Sequence, residues 1–201
     1  MREIVIVGAG PAGLSCALFL AKAGRDICVV DSGQTIIRRA NLKNYLGFPG
    51  GIPGNELVAR GKEQIEELGG AILTGRPITI EIIKRGFKVT VADQQVVTAT
   101  KVVLATGMSI QIAEQLGIPV IRGTYANRII ETDVHGHTVL PNVWATGVVA
   151  GTPVQAIIAA GDGARVAVNI LSEIRGSIYM DHDVLPSERR SPSSKSTNLL
   201  P

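Results

Sequence analysis

The sequence predicts an α/β fold: a parallel sheet with helices on both faces and a β-meander as a crossover. Three observations carry this. An apolar run at 4–7 leads directly into glycines spaced G-x-G-x-x-G, at Gly8, Gly10 and Gly13. A second apolar run, 27–30, ends on an acid, Asp31. Two later runs, 101–105 (apolar from Val102) and 143–145, break at the same dipeptide, Thr106-Gly107 and Thr146-Gly147. Runs that are apolar throughout, without alternation, suit strands buried on both faces.

Composition bounds the rest. The 201 residues suit one domain, and 45% apolar content can bury a sizeable core. Only 3% of residues are aromatic, so the interior must be built from Val, Ile, Leu and Ala. The net charge of +3 is small. No basic stripe with interleaved aromatics runs through the body, which argues against a nucleic-acid partner. Residues 1–7 read as a strand and not as a leader, and no apolar run approaches the ~20 residues of a membrane span. Two cysteines, Cys16 and Cys28, set no disulfide framework, so a cytoplasmic protein is expected. We expect one domain over 1–185. The Ser-, Pro- and charge-rich stretch at 186–201 is expected to be a disordered tail.

Taken in order, the first strand at 4–7 is followed by a helix whose stripe is Leu14, Leu18 and Ala21, widened by Ala17 and Leu20 and ended by Gly24. The second strand returns at 27–30. Each glycine between them has a task. Gly8 permits the tight turn off the strand, Gly10 leaves room for a pyrophosphate against the backbone, and Gly13 lets the helix lie close to the sheet. With Pro11 and Ala12 they form a phosphate-binding turn at a helix N-terminus, whose free N–H groups and partial positive charge favour an anion. Asp31, twenty-one residues after Gly10, is placed to accept hydrogen bonds from an adenosine ribose, with Ser32 beside it. These features predict a dinucleotide site without separating NAD from FAD.

A glycine- and proline-rich loop fills 47–54, and Asn55 is a plausible N-cap for a helix over 56–68 closed by Gly69 and Gly70. Strands are expected at 71–73, 78–83, 87–92 and 95–98, separated by Arg85-Gly86 and Asp93 as in a β-meander, and a further buried strand at 101–105. Near the end, "VWATGVVAGTP" reads as a strand that turns at Thr146-Gly147 into a helix opening at Gln155.

At this point the chain resembles the FAD-binding half of low-molecular-weight thioredoxin reductases, within the pyridine nucleotide–disulfide oxidoreductases. The matching segments are "VIVGAGPAGLSCALFLAKAG", "NYLGFPGGIPGNELV", "KVVLATG" and "TVLPNVWATGVVAGTPVQAIIAAGDGARVAVNIL". The resemblance implies a Rossmann-like FAD-binding domain and a homodimer. It places Asn44 beside the flavin and Gln155 and Ala156, followed by Ile157, near the isoalloxazine edge. It adds Ile78, Ala105, Thr106, Gly107 and Gly147 to the cofactor contacts. Where the family has an acid after the glycine of the last turn, this chain has Val148. One ribitol hydrogen bond is therefore expected to be missing and FAD to be held more loosely. Asp162 is set aside as that acid, because it falls about two turns into the following helix.

The family's NADPH domain is expected to be absent. Gly107 and Val143 stand 36 positions apart, too few for a domain of ~100 residues, and the chain has no C-x-x-C pair. The short relatives that consist of the FAD domain alone are the nearest match. Cys16 and Cys28 read as small buried hydrophobes at the helix–sheet interface. "HGH" at 135–137 reads as a hairpin turn and not as a metal site. No residue stands out as a catalytic acid, base or nucleophile, so the flavin itself is expected to carry the redox chemistry. Electrons would come from a redox partner protein or from NAD(P)H docking transiently. Two other readings stay open: a small NAD(P)-binding Rossmann dehydrogenase, and a flavin-binding interaction protein that is not an enzyme.

Overall fold

A computed structural model describes residues 1–183; the tail expected at 186–201 lies outside them. Strand β1 (Arg2–Val7), helix α1 (Pro11–Lys22) and strand β2 (Ile27–Asp31) form the predicted unit, and Gly24 closes α1 with a left-handed φ of 72°. A two-strand ladder of β3 (Asn41–Leu42) and β4 (Ile52–Pro53) follows, then α2 (Gly54–Glu67) and β5 (Ala71–Thr74). The meander is β6 (Pro77–Ile83), β7 (Gly86–Val91) and β8 (Val96–Leu104). Short elements α3 (Gln111–Gln115), β9 (Val120–Arg122) and β10 (Arg128–Ile130) lead to β11 (Val143–Ala145) and the long α4 (Ala156–Arg175).

The parallel sheet runs β5-β2-β1-β8-β11, and β7 joins β8 from the antiparallel side with β6 beyond it. Strand β8 serves both parts. Its first half pairs with β7 and the end of its second half with β11, while β1 runs along the other edge from Ala99 to Leu104. The separate strands expected at 95–98 and 101–105 are therefore one. The polar Thr98, Thr100 and Lys101 look like a break in sequence. They mark where the strand passes from meander to parallel sheet, and Thr100 Oγ1 donates to the Glu3 carbonyl at 2.8 Å.

Alternate side chains of β1 separate two cores. Ile4 and Ile6 pack with Ile27, Val29, Val103 and Trp144 beneath α1, α2 and α4. Val5 and Val7 pack with Val30, Val102, Leu104, Phe87, Val89 and Val91. The long helices thus all lie on one face. The second face is closed by the meander and the short α3, because the inward side chains of β7 already cover it. Cys16 belongs to the helix side, but Cys28 faces the meander, which corrects its expected place at the helix–sheet interface.

Asn55 is not the cap of α2. The helix starts one residue earlier, at Gly54, after extended Pro53 and without a side-chain cap. Backbone docking fixes this start: Gly54 N–H donates to Ala40 O at 2.8 Å, and a Cβ at Gly54 would sit 1.8 Å from Ile37 O. The "HGH" segment is a turn, as expected, with Asp133 Oδ1 accepting the N–H groups of His135 (2.9 Å) and His137 (2.8 Å). Its preceding strand β10 pairs with β9, however, and only His137 bridges forward, to Trp144. Among the described residues no helix is long and apolar enough to cross a membrane.

Candidate cofactor site

A cleft of about 1170 Å³ opens at the C-terminal ends of β1, β2, β8 and β11. Ligands of doubly wound sheets bind at this end, where the strand order reverses, here at β1. Its volume exceeds the roughly 300–1,000 Å³ usual for a small-molecule site, as suits a long dinucleotide.

The three glycines of the first turn divide by function. A Cβ at Gly8 would stand 2.2 Å from Ala105 O, and one at Gly13 would stand 1.9 Å from Gly8 O. Both are required by the fold itself. At Gly10 a Cβ would meet only Thr35 Oγ1, at 3.3 Å, so the space above it belongs to the cleft. Gly10 and Gln155 are the N-caps of α1 and α4, and neither helix start has a side-chain cap or an acid in its first turn. Two sets of helix N–H groups are thus left for an anion.

At the β2 end, Asp31 lines the cleft and is only 2% exposed. Its Oδ1 accepts Gly33 N–H at 2.8 Å, and its Oδ2 is paired with Lys62 and, at 3.4 Å, with Arg38. Burial pushes this carboxyl up, but Lys62, the Gly33 N–H and Arg38 together reverse that and hold it below the ordinary carboxylate value. Asp31 is held as an anion.

At the β11 end the chain turns through Thr146 and Gly147, whose φ is 78°. Val148 lines the cleft and Asp162 does not. Asp162 is nonetheless bound to this turn: its Oδ2 accepts Thr146 Oγ1 (2.6 Å) and Gly147 N–H (2.7 Å). Its Oδ1 accepts from Arg165 at 2.8 and 3.0 Å, and Arg165 also donates to the Val134 carbonyl.

Gly8, Gly10, Pro11, Ala12, Asp31 and Ser32 all line the cleft, as do Ile78, Ala105, Thr106, Gly107, Gly147, Val148, Gln155 and Ala156. Gly13 lies behind the wall and Ile157 outside it. Asn44 is also outside, but its Nδ2 donates to Gln155 Oε1 at 2.9 Å and ties the glycine-rich loop to the start of α4. Thr35, Arg76 and Met108 line the cleft without having been singled out in the sequence. Nothing local marks the first two, which sit in turns. The tie from Asp162 to the last turn was missed because its partners lie fifteen and sixteen residues away.

The thiols stand apart from all this. Burial pushes the Cys16 and Cys28 thiols up, and the two lie on opposite faces of the sheet.

Residues 2–109 match the pyridine nucleotide-disulphide oxidoreductase family, more than half of the chain. The chain belongs to that family. Its likeness within it is to thioredoxin reductases. The thioredoxin reductase of Eremothecium gossypii is 26% identical over 190 residues, which is 89% of this chain and 56% of that protein. That of Ureaplasma parvum is 34% identical over 108 residues, 52% of this chain and 34% of that protein. The chain therefore spans at most a little over half the length of these relatives. Among solved structures, the atypical thioredoxin reductase TRi of Desulfovibrio vulgaris Hildenborough superposes with a TM-score of 0.76 at 20% identity. That superposition covers 88% of this chain and 99% of the other. A thioredoxin reductase of Gloeobacter violaceus gives 0.74 at 18%, covering 92% and 99%. The fold is the Rossmann-like FAD-binding fold of these reductases.

Members of this family are FAD-binding flavoproteins, and FAD is this domain's cofactor. The residues present fit it: Gly10 keeps the phosphate turn free of a side chain beside the cleft, where a Cβ would press on Thr35 Oγ1 alone, and two uncapped helix starts border that cleft.

Proposed function

We propose that this domain is the flavin-carrying part of an oxidoreductase that passes electrons between a separate donor and a separate acceptor. The observation that carries this is the one cleft that takes in the Gly8–Ala12 turn, Asp31 and the start of α4, bordered by the N-termini of both α1 and α4. Bound FAD would supply the two-electron chemistry. Gly10 and the α1 start would hold the pyrophosphate, Asp31 the adenosine ribose, and the Thr146–Val148 turn with Gln155 and Ala156 the ribitol and flavin end.

The chain's own side chains would bind and orient. Neither cysteine is placed for exchange, since a dithiol relay needs two exposed sulfurs within reach of each other. The electron donor would be NAD(P)H docking at the open cleft or a partner protein carrying its own reducing group. A homodimer and a cytoplasmic setting complete the reading. The dimer is supported by the family likeness, the compartment by the two unpaired, buried cysteines.

The test is the ligand that co-purifies. The protein is expected to be yellow and to release FAD on denaturation, identified by mass. A nicotinamide dinucleotide in its place would overturn the reading. Anaerobic mixing with NADPH then separates the two donors: bleaching of the flavin bands supports direct docking, and no bleaching supports a partner protein.

A further inference from the structure

We propose that Lys62 is a positioning residue for the cofactor: from a helix outside the cleft it fixes the Asp31 carboxylate so that one acceptor remains for the adenosine ribose. The inference rests on the FAD reading of the cleft and adds a residue that the reading does not require.

A carboxylate offers about four acceptor sites. In Asp31 three are taken, one by Gly33 N–H on Oδ1 and two by Lys62 and Arg38 on Oδ2. The free site is on Oδ1. Arg38 is the weaker holder, with a 3.4 Å contact, a side chain 35% exposed, and a buried Nε that lacks a partner. Lys62 is in closer contact and less exposed, at 21%. It lies in line with Val58 and Ile65, the buried stripe of α2, where an apolar residue would be expected. Gly61 seats that helix on α1, since a Cβ there would already be 3.2 Å from Leu14 Cδ1. No α2 residue lines the cleft, so Lys62 acts only through Asp31.

Without Lys62, Asp31 would keep its burial and lose its main counter-charge. A buried carboxyl in that position takes up a proton at higher pH, and a protonated acid both turns and loses an acceptor. The charged groups that face Asp31 among the described residues are Lys62 from α2 and Arg38 from the turn Ile36–Arg39. The adjoining β5 edge contributes only backbone, the Gly75 N–H to the Asp31 carbonyl at 2.9 Å.

The experiment is FAD binding by fluorescence quenching, from neutral pH into the range where carboxylates titrate, for wild type, K62M, K62R, D31N and D31N/K62M. K62M is expected to bind about ten-fold more weakly at neutral pH, which is 1.4 kcal/mol. The deficit should widen as pH falls, and K62R should recover most of it. In the D31N background K62M should change nothing. Equal binding by K62M and wild type, or an undiminished K62M effect in the D31N background, would overturn the role. Circular dichroism of the cofactor-free proteins checks that each variant folds. If K62M does not, K62Q takes its place with the same two outcomes. A wild type that takes up no FAD would overturn the cofactor reading beneath the proposal; a wild type that binds while K62M matches it overturns the proposal alone.

Discussion

Two positions near β11, Val148 and Asp162, do different work, and their separate effects can be measured. Val148 faces the cleft, so Val148→Asp places an acceptor where the ribitol is expected to lie. FAD affinity should rise by about 1 kcal/mol, below the ~1.5–3 kcal/mol of a hydrogen bond to a charged group, because repulsion from the pyrophosphate opposes the gain. Asp162→Ala acts on the turn itself. It leaves Gly147 N–H and Thr146 Oγ1 without their acceptor, an expected stability cost of about 1–3 kcal/mol. Thermal melting of the cofactor-free protein should show this loss for Asp162→Ala and not for Val148→Asp. Gly10→Val tests the other end. Its Cβ would meet only the Thr35 hydroxyl, at 3.3 Å, which can turn aside, so the melting temperature should change little while FAD binding is abolished; retained FAD would mean that the phosphate turn lies elsewhere. At this scale the place of the phosphate turn, Asp31 and Val148 along the cleft was legible, because each lies at or just beyond the C-terminal end of a strand. The part Asp162 plays was not: two turns into the helix it is set aside as the flavin acid, and nothing local shows its bonds back to Thr146 and Gly147. Lys62 did leave a trace, a cation on the apolar stripe of α2.

Helix packing shows where sequence reading stops. "AAGDGA" contains two glycines in α4 that look alike in the sequence. A Cβ on Gly163 would be 2.0 Å from Ala12 O, whereas one on Gly161 meets nothing within 4 Å. Gly163 is what lets α4 lie against the start of α1, so Gly163→Val should prevent the two helices from docking and leave little folded protein. Gly161→Ala should do the reverse. Glycine in a helix interior costs roughly 1 kcal/mol relative to alanine, and removing it should raise the melting temperature. For a domain of this size the rise is about 2–4 °C, readable by calorimetry. The start of α2 was misread for a related reason. Asn55 is a good cap by residue type, but the Ala40 and Ile37 carbonyls, which set the true start at Gly54, belong to a turn that no local pattern places there.

Across the whole molecule, a buried parallel sheet followed from the unbroken apolar runs, while the order of its strands and the sharing of covers between its two faces did not. Alternation in β7 announces one buried side without saying which sheet it meets. The charge economy of the fold is simpler. Asp31 is held below its ordinary value, so the stability it lends is present above the unfolded-state value and is lost as pH falls through the folded one. Melting temperatures of the cofactor-free protein should therefore hold from neutrality down to about pH 4 and fall below it. In D31N that part of the acid loss should disappear. Strand β8 governs how the molecule comes apart. Its two halves meet at Ala99, which pairs with Phe87 of β7 on one side and Arg2 of β1 on the other, so the meander and the parallel sheet are joined at that residue. Amides from Ala99 to Leu104, in the part held by β1, should exchange with deuterium only through global unfolding, whereas those of Val97 and Thr98, paired with β7 alone, should exchange sooner as the meander opens locally.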